Sequence, residues 1–133
     1  MIGIDTNILL RFVLKDDMEQ YAQAKEFVLE NCTELSPGYI NRVVACEFAW
    51  TLERSYRFGR AEIASTFVLL LAAAGFVFEN RDAIERVLDY YRDVRGVGFV
   101  DMLVAELNRE AGCSATATFD KRARKLKGFV KVR

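Results

Sequence analysis

Hydrophobic positions along this chain follow two periods, one near two and one near 3.6, and the switches between them mark its elements. Ile2 and Ile4 bracket Gly3 before polarity appears abruptly at Asp5, Thr6 and Asn7, which predicts a short strand running into a carboxylate and then a helix over residues 8–14. Tyr21, Ala24, Phe27 and Val28 recur at helical spacing and predict a helix over residues 18–30, capped by Asp17. Glu34, Leu35 and Ser36 read as a brief strand ended by Pro37 and Gly38. From Asn41 the pattern turns strongly apolar through Trp50 and Leu52, predicting a helix buried on most of its circumference. Gly59 breaks it, and a helix over residues 60–73 follows, apolar nearly all round after Thr66.

Residues 75–79 read as a strand, and Asn80 caps a helix over residues 81–94 with Ile84, Val87, Leu88 and Tyr91 inward. After Gly96 and Gly98 a helix resumes over residues 99–111 and ends at Gly112, which suits a left-handed C-terminal cap. Residues 114–119 alternate as a strand running directly into Asp120; residues 121–126 make a short basic helix and residues 128–132 a last strand. Strands alternating with helices throughout predict an α/β fold, a three-layer α/β/α sandwich with a mainly parallel central sheet. With 133 residues, 52% of them hydrophobic and a single proline, one compact domain over residues 1–133 is expected.

Composition narrows the chemistry. The sequence contains no histidine, which excludes a Ser-His-Asp triad, a Cys-His pair and a His-ligated zinc. Cys32, Cys46 and Cys113 are odd in number and lack CxxC spacing, so neither a disulfide framework nor a zinc site is indicated. Asp5 interrupts the hydrophobic start, so no signal peptide is expected. The longest apolar run, residues 67–78, is too short to span a bilayer. A soluble, cytoplasmic, reducing setting is the expectation. Net charge is zero, yet residues 120–133 hold seven bases and one acid, leaving 12 bases against 18 acids elsewhere. An acidic body with a basic end suits a protein that holds cations in one region and meets a polyanion with another.

Four acids stand out. Asp5 and Asp120 each follow an apolar strand directly, and in an open α/β sheet the C-terminal strand ends face the ligand crevice. Glu47 lies between Val43 and Val44 one turn back and Trp50 and Thr51 one turn ahead, while Asp101 has Val104 and Ala105 ahead of it. Each also has a plainer explanation. Asp5, Asp101 and Asp120 could cap helices, and Glu47 could pair with Arg42 or Arg54. Carboxylates about 4 Å apart repel by roughly 4 kcal/mol per pair at an effective dielectric near 20, so a cluster of them needs a cation. Oxygen-only ligands select Mg²⁺ or Mn²⁺.

The stretches MIGIDTNILLR, VVACEFAWTLERSY, GFVDMLVAELNREAGC and TATFDKRARKL, in this order, resemble the four acidic blocks of the PIN-domain nucleases, and within them the VapC-type toxins of prokaryotic toxin–antitoxin modules. The resemblance covers essentially the whole chain. It implies a Mg²⁺-dependent endoribonuclease, Mn²⁺ being an alternative, in which metal-activated water hydrolyses RNA. Asp5, Glu47, Asp101 and Asp120 would be the acidic quartet, with Asn7 and Thr118 as polar support. Met102 and Leu103 stand where most family members carry small residues, a departure that leaves the acids untouched. Arg11, Lys121, Arg122, Arg124 and Lys125 are candidates for RNA phosphate contacts, or are solvated surface charge.

Two other functions fit less of the pattern. A Mg²⁺-dependent aspartyl phosphatase or phosphoacceptor would want a second acid two residues after Asp5, where Asn7 stands. A non-catalytic module that binds RNA or protein would not need an intact quartet. The all-apolar segment of residues 67–71 further suggests a homodimer, through this helix or residues 39–50, or cover by a cognate antitoxin.

Overall fold

The computed structural model describes residues 1–132, and within them the chain gathers into two compact units, Met1–Arg81 and the described residues from Asp82 onward. Arg133, counted above among the basic end residues, lies outside the described residues.

The first unit is built on a parallel three-stranded sheet in the order β1-β2-β3, with β1 at Ile2–Gly3, β2 at Gly38–Ile40 and β3 at Phe76–Phe78. Parallel neighbours require long crossovers. Helices α1 (Thr6–Val13) and α2 (Met18–Asn31) carry the first, and α3 (Arg42–Arg54) and α4 (Arg60–Ala72) the second. Ile2 pairs with Gly38 and Gly3 with Tyr39, and Ile4 N–H continues the ladder to the Tyr39 carbonyl at 2.9 Å. Asp17 caps α2 by accepting from Gln20 N–H at 3.0 Å, and Asn41 caps α3 by accepting from Val44 N–H at 2.9 Å.

The second strand begins where the alternation suggested it would end. Residues 33–36 form a turn in which Thr33 and Ser36 bond to each other, and Leu35 is fully in solvent. The ladder starts only at Gly38, where a Cβ would stand 2.8 Å from Cys32 Sγ and 2.9 Å from Ile4 Cγ1. A glycine is what lets the strand pass that close. The helix over residues 42–54 is also less enclosed than its composition suggests. Val44, Ala45, Phe48, Ala49 and Leu52 form its buried stripe, Phe48 meeting Phe67 edge to face at 5.6 Å, whereas Val43 and Trp50 are 62% and 44% exposed. Helix α4 behaves likewise: Phe67, Leu70 and Leu71 are buried, and Val68 and Leu69 face solvent.

The second unit holds α5 (Arg81–Tyr91), α6 (Phe99–Glu110), β4 (Thr116–Thr118), a single 3₁₀ turn at Ala123–Lys125 and β5 (Phe129–Lys131). Strands β4 and β5 pair in parallel, Thr116 opposite Phe129 and Thr118 opposite Lys131. Ile84, Val87, Tyr91, Phe99, Met102 and Leu103 form its core, with Tyr91 and Phe99 edge to face at 5.5 Å. Gly112 has φ +97°, the left-handed conformation its place after α6 requires. Asn80, by contrast, is itself left-handed, with φ +56°, a conformation asparagine tolerates better than most residues. Arg86 ties α5 to α6 through Glu106 at 2.8 Å and Glu110 at 2.7 Å. No helix of the described residues is long and apolar enough to cross a membrane.

Candidate active site

In the first unit, strand β1 hands the chain through buried Ile4 to Asp5, the N-cap position of α1. Its carbonyl accepts from Ile8 and Leu9 N–H, yet its side chain makes no cap hydrogen bond. Asp17 and Asn41, at the same position of α2 and α3, both use their side chains to cap. The Asp5 carboxylate is thus exposed and uncommitted to its own helix, which removes the plainer account of this residue.

Glu47 projects from the open stripe of α3 with Val43 and Trp50, and it is exposed rather than enclosed by apolar neighbours. The helix turns its small and aromatic side to the core and leaves this stripe to solvent. Neither arginine that might have paired with it does so. The Arg54 guanidinium stacks over Trp50 at 5.5 Å from the ring centroid, and Arg42 turns to Glu79, whose Oε1 also accepts from Arg42 N–H at 2.8 Å. What meets Glu47 is Thr6, whose hydroxyl donates to Oε1 at 3.3 Å. Sequence pattern marked Thr6 only as part of a polar tripeptide. Nothing local shows that a residue 41 positions away would be its partner.

In the second unit, Asp101 lies in the first turn of α6, where Gly98 holds the N-cap position. A Cβ on Gly98 would come within 3.9 Å of Asp101 Oδ2. A carboxylate in the first turn is favoured by the partial positive charge of the helix N-terminus. Asp120 is also exposed, and here the plainer account has a geometric basis: Oδ1 accepts from Arg122 N–H at 2.8 Å and from Ala123 N–H at 3.4 Å, closing the turn after β4. Thr118 supports this loop by accepting from Asp120 N–H at 2.9 Å.

The remaining candidates divide. Asn7 lines a groove between α1 and α2 with Ile8, Arg11, Gln20 and Phe27. Arg11 is engaged inside the first unit, donating to Asp16 Oδ1 at 2.8 Å and to the Tyr56 hydroxyl at 2.6 Å; the Tyr56 bond is the main cause that holds its guanidinium above the usual arginine value. Lys121, Arg122 and Lys125 are exposed and Arg124 partly so. A separate cavity of about 470 Å³ in the second unit, lined by Tyr90, Val94, Ala105, Arg109 and Leu126, contains none of the candidate acids. On its wall the Tyr90 phenol is pushed up to about 12, first by burial and then by the charge of Glu106.

The donors are carboxylates, an amide and hydroxyls, oxygen throughout, and that set fits a hard divalent cation such as Mg²⁺ or Mn²⁺. Among the described residues, no three or more acid or thiol side chains already stand as a group able to hold a metal ion.

The family model of the PIN domain matches residues 2–128, which takes in all four acids. The chain belongs to the PIN domain family. Its fold class is accordingly the α/β/α one expected from the alternation of elements. PIN domains are in general nucleases that bind RNA and use divalent metals. No curated protein matches the chain.

The two aspartates at helix N-cap positions in this PIN domain should separate cleanly on substitution. Asp17→Ala removes a cap and is expected to cost about 1 kcal/mol. Asp5→Ala removes none and should leave urea-unfolding stability within about 0.5 kcal/mol of wild type. An Asp5→Ala loss as large as that of Asp17→Ala would show that the Asp5 side chain serves its own helix.

Proposed function

We propose that this PIN protein is a metal-dependent endoribonuclease, and the toxin of a VapC-type toxin–antitoxin pair. The observation that carries the reading is Asp5: a carboxylate at the end of the first parallel strand, inside a family match that spans all four acids, with its side chain unused by the helix it begins.

Asp5 and Asp101 are the proposed direct ligands of the cation, with Glu47 and Asp120 binding it directly or through water. When bound, Mg²⁺ or Mn²⁺ supplies Lewis acidity toward water and the phosphate oxygens. The protein's part is to hold carboxylates on rigid elements. Asp5 is fixed by the β1-to-α1 junction, Asp101 by the first turn of α6, and Asp120 by a turn that already engages Oδ1. Asn7 and Thr118 complete the polar surroundings in this proposal, Thr118 by bonding the Asp120 backbone. Lys121, Arg122, Arg124 and Lys125, with Arg11 as a further candidate, would meet the RNA backbone through charge, giving affinity without sequence choice.

The proposal treats residues 1–133 as one working domain in a reducing cytoplasm, in keeping with three cysteines that stand as free thiols. It includes a second copy of the chain and a cognate antitoxin as partners. Val68 and Leu69 on α4 and Val43 and Trp50 on α3 are the exposed apolar residues that support those contacts. A non-catalytic RNA- or protein-binding module is the alternative, and an aspartyl phosphatase or phosphoacceptor a more distant one.

The deciding experiment compares wild type with Asp101→Asn. Wild type should cleave an RNA pool only with Mg²⁺ or Mn²⁺ present. It should also gain about 2.7 kcal/mol of stability at a metal concentration a hundredfold above its dissociation constant. Asp101→Asn should lose nearly all cleavage and most of that gain, while its metal-free stability falls by no more than about 1 kcal/mol, the contribution of a charge in a helix's first turn. A wild type that binds RNA but cleaves none of it would favour the module, and trapping of an aspartyl phosphate would favour the phosphatase.

Replacing Lys121, Arg122, Arg124 and Lys125 with Ala should weaken RNA binding and flatten its dependence on salt, because fewer counterions are released. An unchanged slope in a salt titration would place the RNA elsewhere. For assembly, light scattering at tens of micromolar, a concentration typical for detecting weak dimers, should report twice the 15.2 kDa chain mass for wild type. Leu69→Glu should return it toward the monomer; a monomeric wild type would exclude this face as a self-interface.

A further inference from the structure

The cavity of about 470 Å³ lies wholly within the second unit, and none of the four acids lines it. Its wall is made by the end of α5, the C-terminal half of α6 and the starts of β4 and β5. Strands β4 and β5 run parallel, so their starts share one end, and Asp120 follows the other end of β4. On α6, Arg109 stands about 12 Å along the helix from Asp101. The volume falls in the range of small-molecule sites, about 300 to 1,000 Å³, which pair a mainly apolar lining with a few placed polar groups. Val94, Ala105, Leu126 and the Tyr90 ring supply the apolar wall.

Charge decides what such a cavity accepts. The acid on its wall, Glu106, is already engaged: Oε2 accepts from Arg86 Nε at 2.8 Å and Oε1 from the Tyr90 hydroxyl at 3.2 Å. Arg86 also bridges to Glu110 at 2.7 Å. The Tyr90 phenol, pushed up to about 12 by burial first and then by the charge of Glu106, stays neutral and keeps donating. Arg109 and Lys127, both exposed, belong to the same lining. Arg86, Arg109 and Lys127 against Glu106 and Glu110 leave one positive charge. The C-terminal half of α6 adds the partial negative charge of a helix end, which opposes a dianionic phosphate more than a single carboxylate. We infer that this cavity binds a small amphipathic monoanion, its apolar body against Val94, Ala105 and Leu126 and its carboxylate met by Arg109 and Lys127. The inference is independent of the nuclease reading, since it needs no metal and none of Asp5, Glu47, Asp101 and Asp120.

The test uses sodium decanoate, kept below the concentration at which it forms micelles, with decanol as the uncharged control. Titration calorimetry of the full chain should show saturable decanoate binding. Cys113, an exposed thiol on the same wall, reports occupancy. Its alkylation by N-ethylmaleimide, read by peptide mass spectrometry, should slow about tenfold when decanoate is at roughly ten times its dissociation constant. Ala105→Phe, which fills the cavity, should abolish binding. Arg109→Gln combined with Lys127→Gln changes only exposed side chains and should keep the wild-type circular dichroism. That variant should weaken decanoate binding about tenfold or more and leave the weaker binding of decanol as it was. Absence of saturable decanoate binding overturns the inference, as does decanol binding as tightly as decanoate. Binding that survives both Ala105→Phe and the double charge replacement places the ligand elsewhere and overturns it too. Protection of Cys113 by a short apolar peptide with a free C-terminus, and not by decanoate, would give the cavity to a protein tail and end the small-ligand assignment.

Discussion

Helix α1 is fastened to the rest of the first unit at both ends, and the placement of the acids in residues 1–81 depends on that. At its start the Thr6 hydroxyl reaches Glu47 on α3; toward its end Arg11 bridges to Asp16 and to Tyr56, just beyond α3. Leu9 and Leu10 are buried between these points. Such a helix has little freedom to rotate about its axis, so the direction in which Asp5 leaves the strand is set by packing. This relieves the carboxylate of any capping duty. The first turn of α1 relies on backbone geometry where α2 and α3 rely on Asp17 and Asn41.

The acids of this PIN domain are exposed, and their exposure changes the energetic argument. Buried carboxylates would demand partners simply to exist in the fold. Exposed ones do not, so their lack of arginine partners reflects where the arginines have gone: Arg54 to the Trp50 ring, Arg42 to Glu79, Arg86 to Glu106 and Glu110. The two arginines close to Glu47 in sequence are drawn into other contacts. An exposed carboxylate left unneutralised in this way is open to a cation, whereas the basic segment after Asp120 carries the opposite charge into the same chain.

In Asp120 a structural role leaves room for the proposed functional one. Its Oδ1 closes the turn before the 3₁₀ segment, and a carboxylate has a second oxygen. Thr118 holds the backbone of the same loop. Asp101 gains a different kind of local support, from the partial positive charge at the start of α6. Each acid is therefore held by a different device, which is why no single local motif describes them.

What the sequence by itself determined was whatever depends on near neighbours: the periodic helices, the cap at Asp17, the left-handed glycine after α6, the parallel α/β class and, through four ordered blocks, the PIN family. These follow from contacts within a few residues, which a linear pattern records. The tertiary structure decided the rest. Strand β2 starts at Gly38 because pairing with β1 and β3 and the close approach of Cys32 and Ile4 begin there, while residues 34–36, which read as the strand, lie in a turn. Helix α3 is open along Val43, Glu47 and Trp50 because α1 and α4 pack against its other side. The partner of Thr6 stands 41 residues away, and only the crossover that lays α1 against α3 brings the hydroxyl to the carboxylate.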